Sequence, residues 1–259
     1  MHIYDQHLHS SFSIDSRQDM EAYVRAAKAA GDECFVTTEH LDLEACFWQK
    51  DVIPDFAAQQ AELRRLQEAY GIETLFGVEA GYRPVFEDRL RAILAAHPFD
   101  VVLLSVHEDE GFEFMDPAVL RGRTVEEMYA DYLDRMIQAV DHMEDFDVMT
   151  HVDYALRVNG GVELDRFEGQ MKTLFSLLAE KDKALELNTR TVGALGMGYL
   201  ERYARWFMEC GGRRFSLGSD GHRLSAHKAH FEAVCAMLRE MGAEGLTFYK
   251  KRQPLLLPL

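Results

Sequence analysis

Six of the eleven histidines stand at the ends of short apolar or β-rich runs: His7 and His9 in HIYDQHLH, His40 in CFVTTEH, His107 in VVLLSVH, His151 in DVMTHVD and His222 in FSLGSDGH. Acidic residues take matching places. Asp15 follows the first run, Glu79 lies in TLFGVEAG, and Asp220 lies two residues before His222. Imidazole nitrogen and carboxylate oxygen together suit borderline divalent cations, so these side chains, if gathered, would hold a metal cluster and support hydrolysis. One HxH pair carries little weight, because eleven histidines in 259 residues produce such a pair readily by chance. A buried histidine bonded to a carbonyl explains any one of these positions but not six. Asp5, His7 and His9 follow a period of two, so they project from one face of a strand, and Asp5 is expected to orient an imidazole from behind. His2, His97, His142, His227 and His230 fall in loop, strand-start or helical contexts and receive no role.

The elements that must gather these groups alternate along the chain. Candidate strands lie near 2–8, 34–40, 74–81, 100–106, 147–152, 184–189 and 214–219. Amphipathic stretches at 20–31, 56–71, 85–97, 124–143 and 164–181 predict helices, the first two closed by glycine, and Thr124 with Glu127 has the spacing of a capping box. Strand–helix alternation implies parallel strands with right-handed crossovers. Seven strands with no Pro/Ser-rich linker favour a single α/β barrel over residues 1–259, ahead of an open doubly wound sheet. In a barrel the C-terminal strand ends open onto one cavity, which is where His40, Glu79, His107, His151 and Asp220 would meet. The tail RQPLLLPL, with two prolines, is no helix; it fits either packing across the barrel or burial between subunits of a homo-oligomer.

Bulk properties narrow the partners. A formal net charge of −16 disfavours long nucleic acid, although a local positive site could still draw in a small anion. No 18-residue apolar stretch is present to span a membrane, and MHIYDQHLHS lacks the pattern of a secretion signal. Four scattered cysteines without a CxxC pair predict reduced thiols and a cytoplasmic protein.

Taken in order, DQHLHSSFSID, TEH, GVEAGY, SVH, THVDYALR and GSDGH make the chain recognisable: it resembles the PHP (polymerase and histidinol phosphatase) superfamily of metal-dependent phosphoesterases, most closely the histidinol-phosphatase branch. The resemblance runs through nearly the whole chain. It implies a distorted (β/α)7 TIM-like barrel holding three divalent ions, whether zinc, manganese or iron. His7, His9, Glu79 and Asp220 would hold the first; Glu79 would bridge to a second held by His107 and His151; Asp15, His40 and His222 would hold the third. Some relatives carry histidine where this chain has Asp15. The implied activity is hydrolysis of a small phosphomonoester, L-histidinol phosphate in histidine biosynthesis, by in-line attack of a metal-bridging hydroxide, with Glu79, Asp220 and His222 as catalytic residues. Three divalent ions against three carboxylates and one hydroxide leave the pocket net positive, which suits a phosphate dianion.

Arg157 and Arg190 are the candidates to grip substrate phosphate bidentately. A substrate bearing an amine and an imidazole calls for acidic and aromatic groups, which two loops supply. One offers Glu108, Asp109, Glu110, Glu113 and Asp116 with Phe112 and Phe114; the other offers Asp42, Glu44, Phe47 and Trp48. Glu113 and Asp116 are the favoured contacts. Two other readings compete: a phosphoesterase for another small phosphomonoester, a nucleotide or phosphotyrosine, and a barrel that binds metal without catalysis.

Overall fold

A computed structural model describes residues 3–109 and 111–259, so His2 and Glu110 lie outside the described residues. The strands are β1 (Cys34–Ala45), β2 (Lys50–Val52), β3 (Glu73–Gly81), β4 (Val101–Ser105), β5 (Glu108–Asp109), β6 (Phe112–Glu113), β7 (Val148–Met149), β8 (Ala184–Asn188), β9 (Phe215–Gly218), β10 (Gly245–Lys250) and β11 (Gln253–Pro258). The helices are α1 (Met20–Ala29), α2 (Phe56–Tyr70), α3 (Glu87–Ala96), α4 (Val125–His142), α5 (Leu156–Asn159), α6 (Glu168–Glu180), α7 (Arg190–Ala194), α8 (Met197–Glu209) and α9 (Phe231–Glu240).

One sheet runs in the order β2-β1-β3-β4-β7-β8-β9, parallel throughout except for β2, which folds back antiparallel on the end of β1. It curls until its two sides share a partner. Gln6 N donates to Leu217 O of β9, Thr38 N of β1 donates to Leu8 O, and Leu8 bridges to Gly221. The N-terminal segment is therefore the stave that closes the barrel, and the open doubly wound alternative is excluded.

Side-chain alternation then sorts the barrel interior by height. Val102 and Leu104 of β4 pack outward with the helices, whereas Val101 and Leu103 turn inward with Val36, Leu75, Val148 and Ala184. Both faces are covered, so the strand reads as a continuous apolar run. The inward row of β3 goes Leu75, Gly77, Glu79, and that of β4 goes Val101, Leu103, Ser105: apolar at the floor, polar at the top.

The C-terminal tail pairs as a hairpin, β10 with β11, and its Phe248 and Tyr249 seal the apolar floor. Gln6 clamps the hairpin to the first stave, donating from Nε2 to Thr247 O at 2.7 Å and accepting from Tyr249 N at 2.8 Å. Of the tail's own leucines, Leu257 packs against this floor, whereas Leu255 and Leu256 stay 46% and 54% exposed. Pro254 and Pro258 are accommodated because β11 pairs on one side only.

Most other bounds were met within a few residues, but β1 runs on to Ala45, and the segment expected as a strand at 2–8 carries one bridge, at Leu8, and no strand among its described residues. Gly71 caps α2 in the left-handed conformation at φ 60°, and Thr124 with Glu127 forms the capping box of α4. The strand expected at 147–152 shrinks to Val148–Met149, because the chain turns at Thr150 to deliver His151. Short 3-10 turns at Pro84–Phe86 and Leu164–Phe167 start the third and sixth helices. The four cysteines are unpaired, and no helix among the described residues is long and apolar enough to cross a membrane.

Phe248 is 3% exposed beneath the barrel, at the end opposite the ligand candidates. Replacing it by Ala should cost about 3–5 kcal/mol in urea unfolding, while metal uptake by the folded fraction stays as in the parent. A loss below about 1 kcal/mol would mean that the hairpin is not a structural floor.

Candidate metal centre

Glu79 is the centre of the upper barrel. It is fully buried, and its two oxygens look different ways. Oε2 lies 3.2 Å from His7 Nε2, 3.3 Å from His9 Nε2 and 2.9 Å from His40 Nδ1. Oε1 lies 3.1 Å from His107 Nε2 and 2.8 Å from His151 Nε2, and accepts from Ser105 Oγ at 2.6 Å. Asp220 Oδ1 stands 3.9 Å from His7 Nε2 and 3.6 Å from His9 Nε2. On the open side, His222 Nε2 sits 3.0 Å from Asp15 Oδ2 and 3.4 Å from His40 Nε2. All nine sequence-predicted ligands thus meet in one cluster, where four sets of three can converge: His7–Glu79–His151, His7–His9–Asp220, His40–Glu79–His107 and His9–His40–His222.

His7 Nε2, His9 Nε2, His40 Nδ1 and Glu79 Oε2 are buried without a hydrogen-bond partner although they lie close together. Buried polar atoms are nearly always satisfied, so four orphans aimed at one space mark donors arranged around something other than each other. Mixed imidazole and carboxylate donors of this kind fit divalent metal ions.

The electrostatics say the same. Burial alone would push the Glu79 carboxyl up, yet His7, His40 and His107 together hold it well below the usual carboxylate range. Asp220 behaves likewise: burial opposes ionisation, and His7, Arg157 and Arg190 overcome it. Burial pushes His9 down, reinforced by His40 and His222 on either side, and it pushes His151 down as well. Neutral imidazole is the form that binds a cation.

The ligands are braced from behind. His7 Nδ1 meets Glu186 Oε1 at 2.6 Å, His107 Nδ1 meets Asp42 Oδ1 at 2.9 Å, and His9 Nδ1 meets Ser13 Oγ at 3.1 Å; Ser13 in turn donates to buried Glu39 at 2.6 Å. Such partners fix imidazole tautomer and orientation. Two glycines clear the way. A Cβ at Gly218 would meet Glu186 Oε1 at 2.3 Å, and one at Gly81 would meet Asp42 Oδ1 at 1.9 Å. Glu186 and Glu39 escaped the sequence reading; each is a carboxylate within an apolar strand, a pattern that signals a buried partner. Asp42 was expected in a substrate loop, but β1 runs on through Ala45, so residue 42 shares the face of His40 and turns to His107. Asp5 braces none of the ligand imidazoles, because its carboxylate turns toward the loop at 219–228 instead.

Arg157, on the short α5, is buried and donates from Nη1 to Asp220 Oδ2 at 2.6 Å, leaving Nε and Nη2 without hydrogen bonds. Arg190 begins α7, is 45% exposed, and lies 3.7 Å from Asp220 Oδ1 on the solvent side. Glu113 Oε1 accepts from Tyr154 OH at 2.5 Å and lines a cleft of about 220 Å³ with Phe47, Trp48, His107 and Glu108. Asp116 is not in this cleft: its Oδ1 accepts from Ala118 N and caps the 3-10 turn Pro117–Leu120. Asp109 is likewise withdrawn, buried against Arg121, Arg123 and Arg135.

Comparison with known proteins places these features in a family. The model of the PHP domain matches residues 5–190. A histidinol-phosphatase of Lactococcus lactis is 31% identical over 239 residues, covering 87% of this chain and 88% of the relative; a probable histidinol-phosphatase of Thermotoga maritima is 25% identical over 96% of each. Among solved structures, histidinol phosphate phosphatase from Lactococcus lactis, complexed with zinc, L-histidinol and phosphate, superposes with a TM-score of 0.87 at 25% identity, covering 98% of both chains. A metal-dependent tyrosine phosphatase structure, from work on Bacillus subtilis and Streptococcus pneumoniae proteins, shares the fold at a TM-score of 0.54 and 15% identity, covering 98% of this chain and 100% of that one.

Glu79→Gln keeps the shape but removes the charge that two sets of imidazoles face. The variant should fold and lose at least one bound metal ion per chain by elemental analysis. Undiminished metal content would refute a bridging role.

Proposed function

The chain belongs to the PHP domain family, and on that premise we propose that it is a histidinol-phosphatase, a metal-dependent phosphoric monoester hydrolase that releases inorganic phosphate from L-histidinol phosphate. The observation that carries the reading is Glu79, whose two oxygens face separate groups of imidazoles, with orphaned ring nitrogens on the Oε2 side at His7, His9 and His40. We infer three divalent ions: one at His7, His9, Glu79 and Asp220, a second at Glu79, His107 and His151, a third at Asp15, His40 and His222. Zinc, manganese and iron all suit these donors. When bound, such ions make a water acidic enough to deliver hydroxide near neutral pH and neutralise charge on phosphoryl oxygens.

The chain's own residues supply position. Glu79 and Asp220 hold the cluster together, and His222 stands at its open side. Arg157 holds a rigid fork beside Asp220 with Nε and Nη2 not hydrogen-bonded, so it would fix the phosphoryl group; Arg190 would reach it from the solvent side. The cationic organic end then falls to the cleft beside His107, where Glu108 and Glu113 offer charge and Phe47 with Trp48 offers faces for an imidazole. Phe47 is 66% exposed and packs edge-on against Trp48 at 5.0 Å, an aromatic rim with no apolar core to belong to. A phosphotyrosyl protein would have to enter the same small acidic cleft, which suits it less well.

This reading takes residues 1–259 as one domain, since β9 lies beyond the family match yet hydrogen-bonds in the same sheet. It also places the enzyme in the cytoplasm, in keeping with its unpaired thiols.

Protein loaded with manganese or zinc should hydrolyse histidinol phosphate with kcat/KM about a hundredfold above that for p-nitrophenyl phosphate. Comparable values would defeat the substrate assignment and leave phosphatase chemistry standing. Glu113→Gln should raise KM for histidinol phosphate about tenfold with kcat nearly unchanged; an unchanged KM would remove Glu113 from the substrate pocket.

A further inference from the structure

Asp220 adopts a left-handed backbone, φ 52°, which a non-glycine residue keeps only where its surroundings impose it. Its neighbours on both sides are clamped. Ser219 gives its N–H to Asp5 Oδ1 at 2.9 Å and its hydroxyl to Asp5 Oδ2 at 2.6 Å. Gly221 O accepts from Tyr23 OH at 2.8 Å. Asp5 also accepts from His7 N at 3.3 Å, so one buried carboxylate ties the strand carrying His7 and His9 to the loop carrying Asp220 and His222.

A single side chain meets both clamps. His227 Nδ1 lies 3.1 Å from Asp5 Oδ2, and its ring stands edge-on to Tyr23 at 5.7 Å between centroids. It is 8% exposed, and among the described residues no Lys or Arg side chain pairs with Asp5. Lys228 next to it gives its N–H to the same Asp5 oxygen and its ammonium to Asp32. The loop is strained here as well: Lys228 and His230 are both left-handed, at φ 56° and 63°.

We propose that His227 is a positioning residue for the metal centre: by holding Asp5 and buttressing Tyr23 it clamps the two residues that flank Asp220, and so keeps that carboxylate turned toward the ligand imidazoles. His227 touches no ligand atom itself. Its contribution is to the geometry from which a divalent ion is bound. The inference rests on the metal-centre reading but not on the identity of the substrate.

The test compares His227→Leu, which removes the donor to Asp5, with His227→Asn, whose amide can place an N–H near the position of Nδ1. Zinc affinity is measured by competition with a chromogenic chelator, and the thermal midpoint of the metal-free protein is measured alongside. The leucine variant should bind its Asp220-dependent ion about tenfold more weakly, and excess metal should restore its activity. The asparagine variant should stay within about twofold of the parent. Parental affinity in the leucine variant would overturn the proposal. So would equal loss of metal-free thermal stability and of affinity in both variants, since that is general damage to packing. If the affinities behave as expected but histidinol phosphate is not hydrolysed by any form, the substrate assignment fails and this one stands.

Discussion

A carboxylate buried among five imidazoles is the constraint from which the rest of the structure follows. Among the described residues Glu79 has no lysine or arginine partner, and it is fully buried, so its charge must be compensated by what its oxygens face. In the absence of cations that task falls on protons. Despite burial, His7, His40 and His107 are drawn upward by the carboxylates beside them, Glu79 common to all three and Glu186, Asp15 and Asp42 one each. Protonated imidazoles compressed around one carboxylate make a poor resting state, because the same nitrogens crowd one another. Divalent ions would replace those protons and satisfy the orphaned atoms at once.

Holding so many like groups together requires a frame that does not yield. The barrel provides it through simple parity: each inward row is apolar near the hairpin plug and polar above, so the same strands that bury Leu75 and Val101 present Glu79 and Ser105 one or two steps higher. The carboxylates behind the imidazoles, Glu186 and Asp42, add the second constraint, and they reach their partners only across Gly218 and Gly81. Sequence segments such as GVEAG and SLGSD therefore encode clearance as much as ligation.

Much of this was legible in the chain. The nine ligands stood out because imidazoles and carboxylates at strand ends interrupt apolar runs, and the parallel topology followed from strand–helix alternation. What the sequence concealed has physical reasons. Asp42 lies on a strand that continues past its expected end because β2 folds back on it. Asp116 looked like a substrate contact, yet a carboxylate directly before Pro117 is taken by the backbone donors of the turn it starts. Asp5 shares a strand face with His7, but parity fixes a side chain's direction without choosing its partner, and the nearer donors lay on a loop more than two hundred residues away. Helix α8 was readable and overlooked: Leu200, Tyr203, Ala204 and Phe207 carry the spacing of a buried stripe.

The site is also lopsided, and its lopsidedness is functional. His7, His9 and Glu79 are sealed at 0% exposure, whereas the side chains of His40, His222 and Asp15 are 15%, 21% and 39% exposed. Ligands on the sealed side are each locked by a partner and lose little freedom when an ion arrives. Among the described residues Asp15 has His40 and His222 for partners; although burial acts against it, their hydrogen bonds keep it ionised far below the usual range. An exposed carboxylate held by two imidazoles must give up rotameric freedom and hydration to bind a cation, so an ion on this side would be the one most readily exchanged. It is also the side on which Arg190 and the larger opening lie, so on the proposed function a phosphate ester would enter there. The groups braced hardest are thus those a substrate could not reach, and the cation most open to exchange would be the one nearest the entering charge.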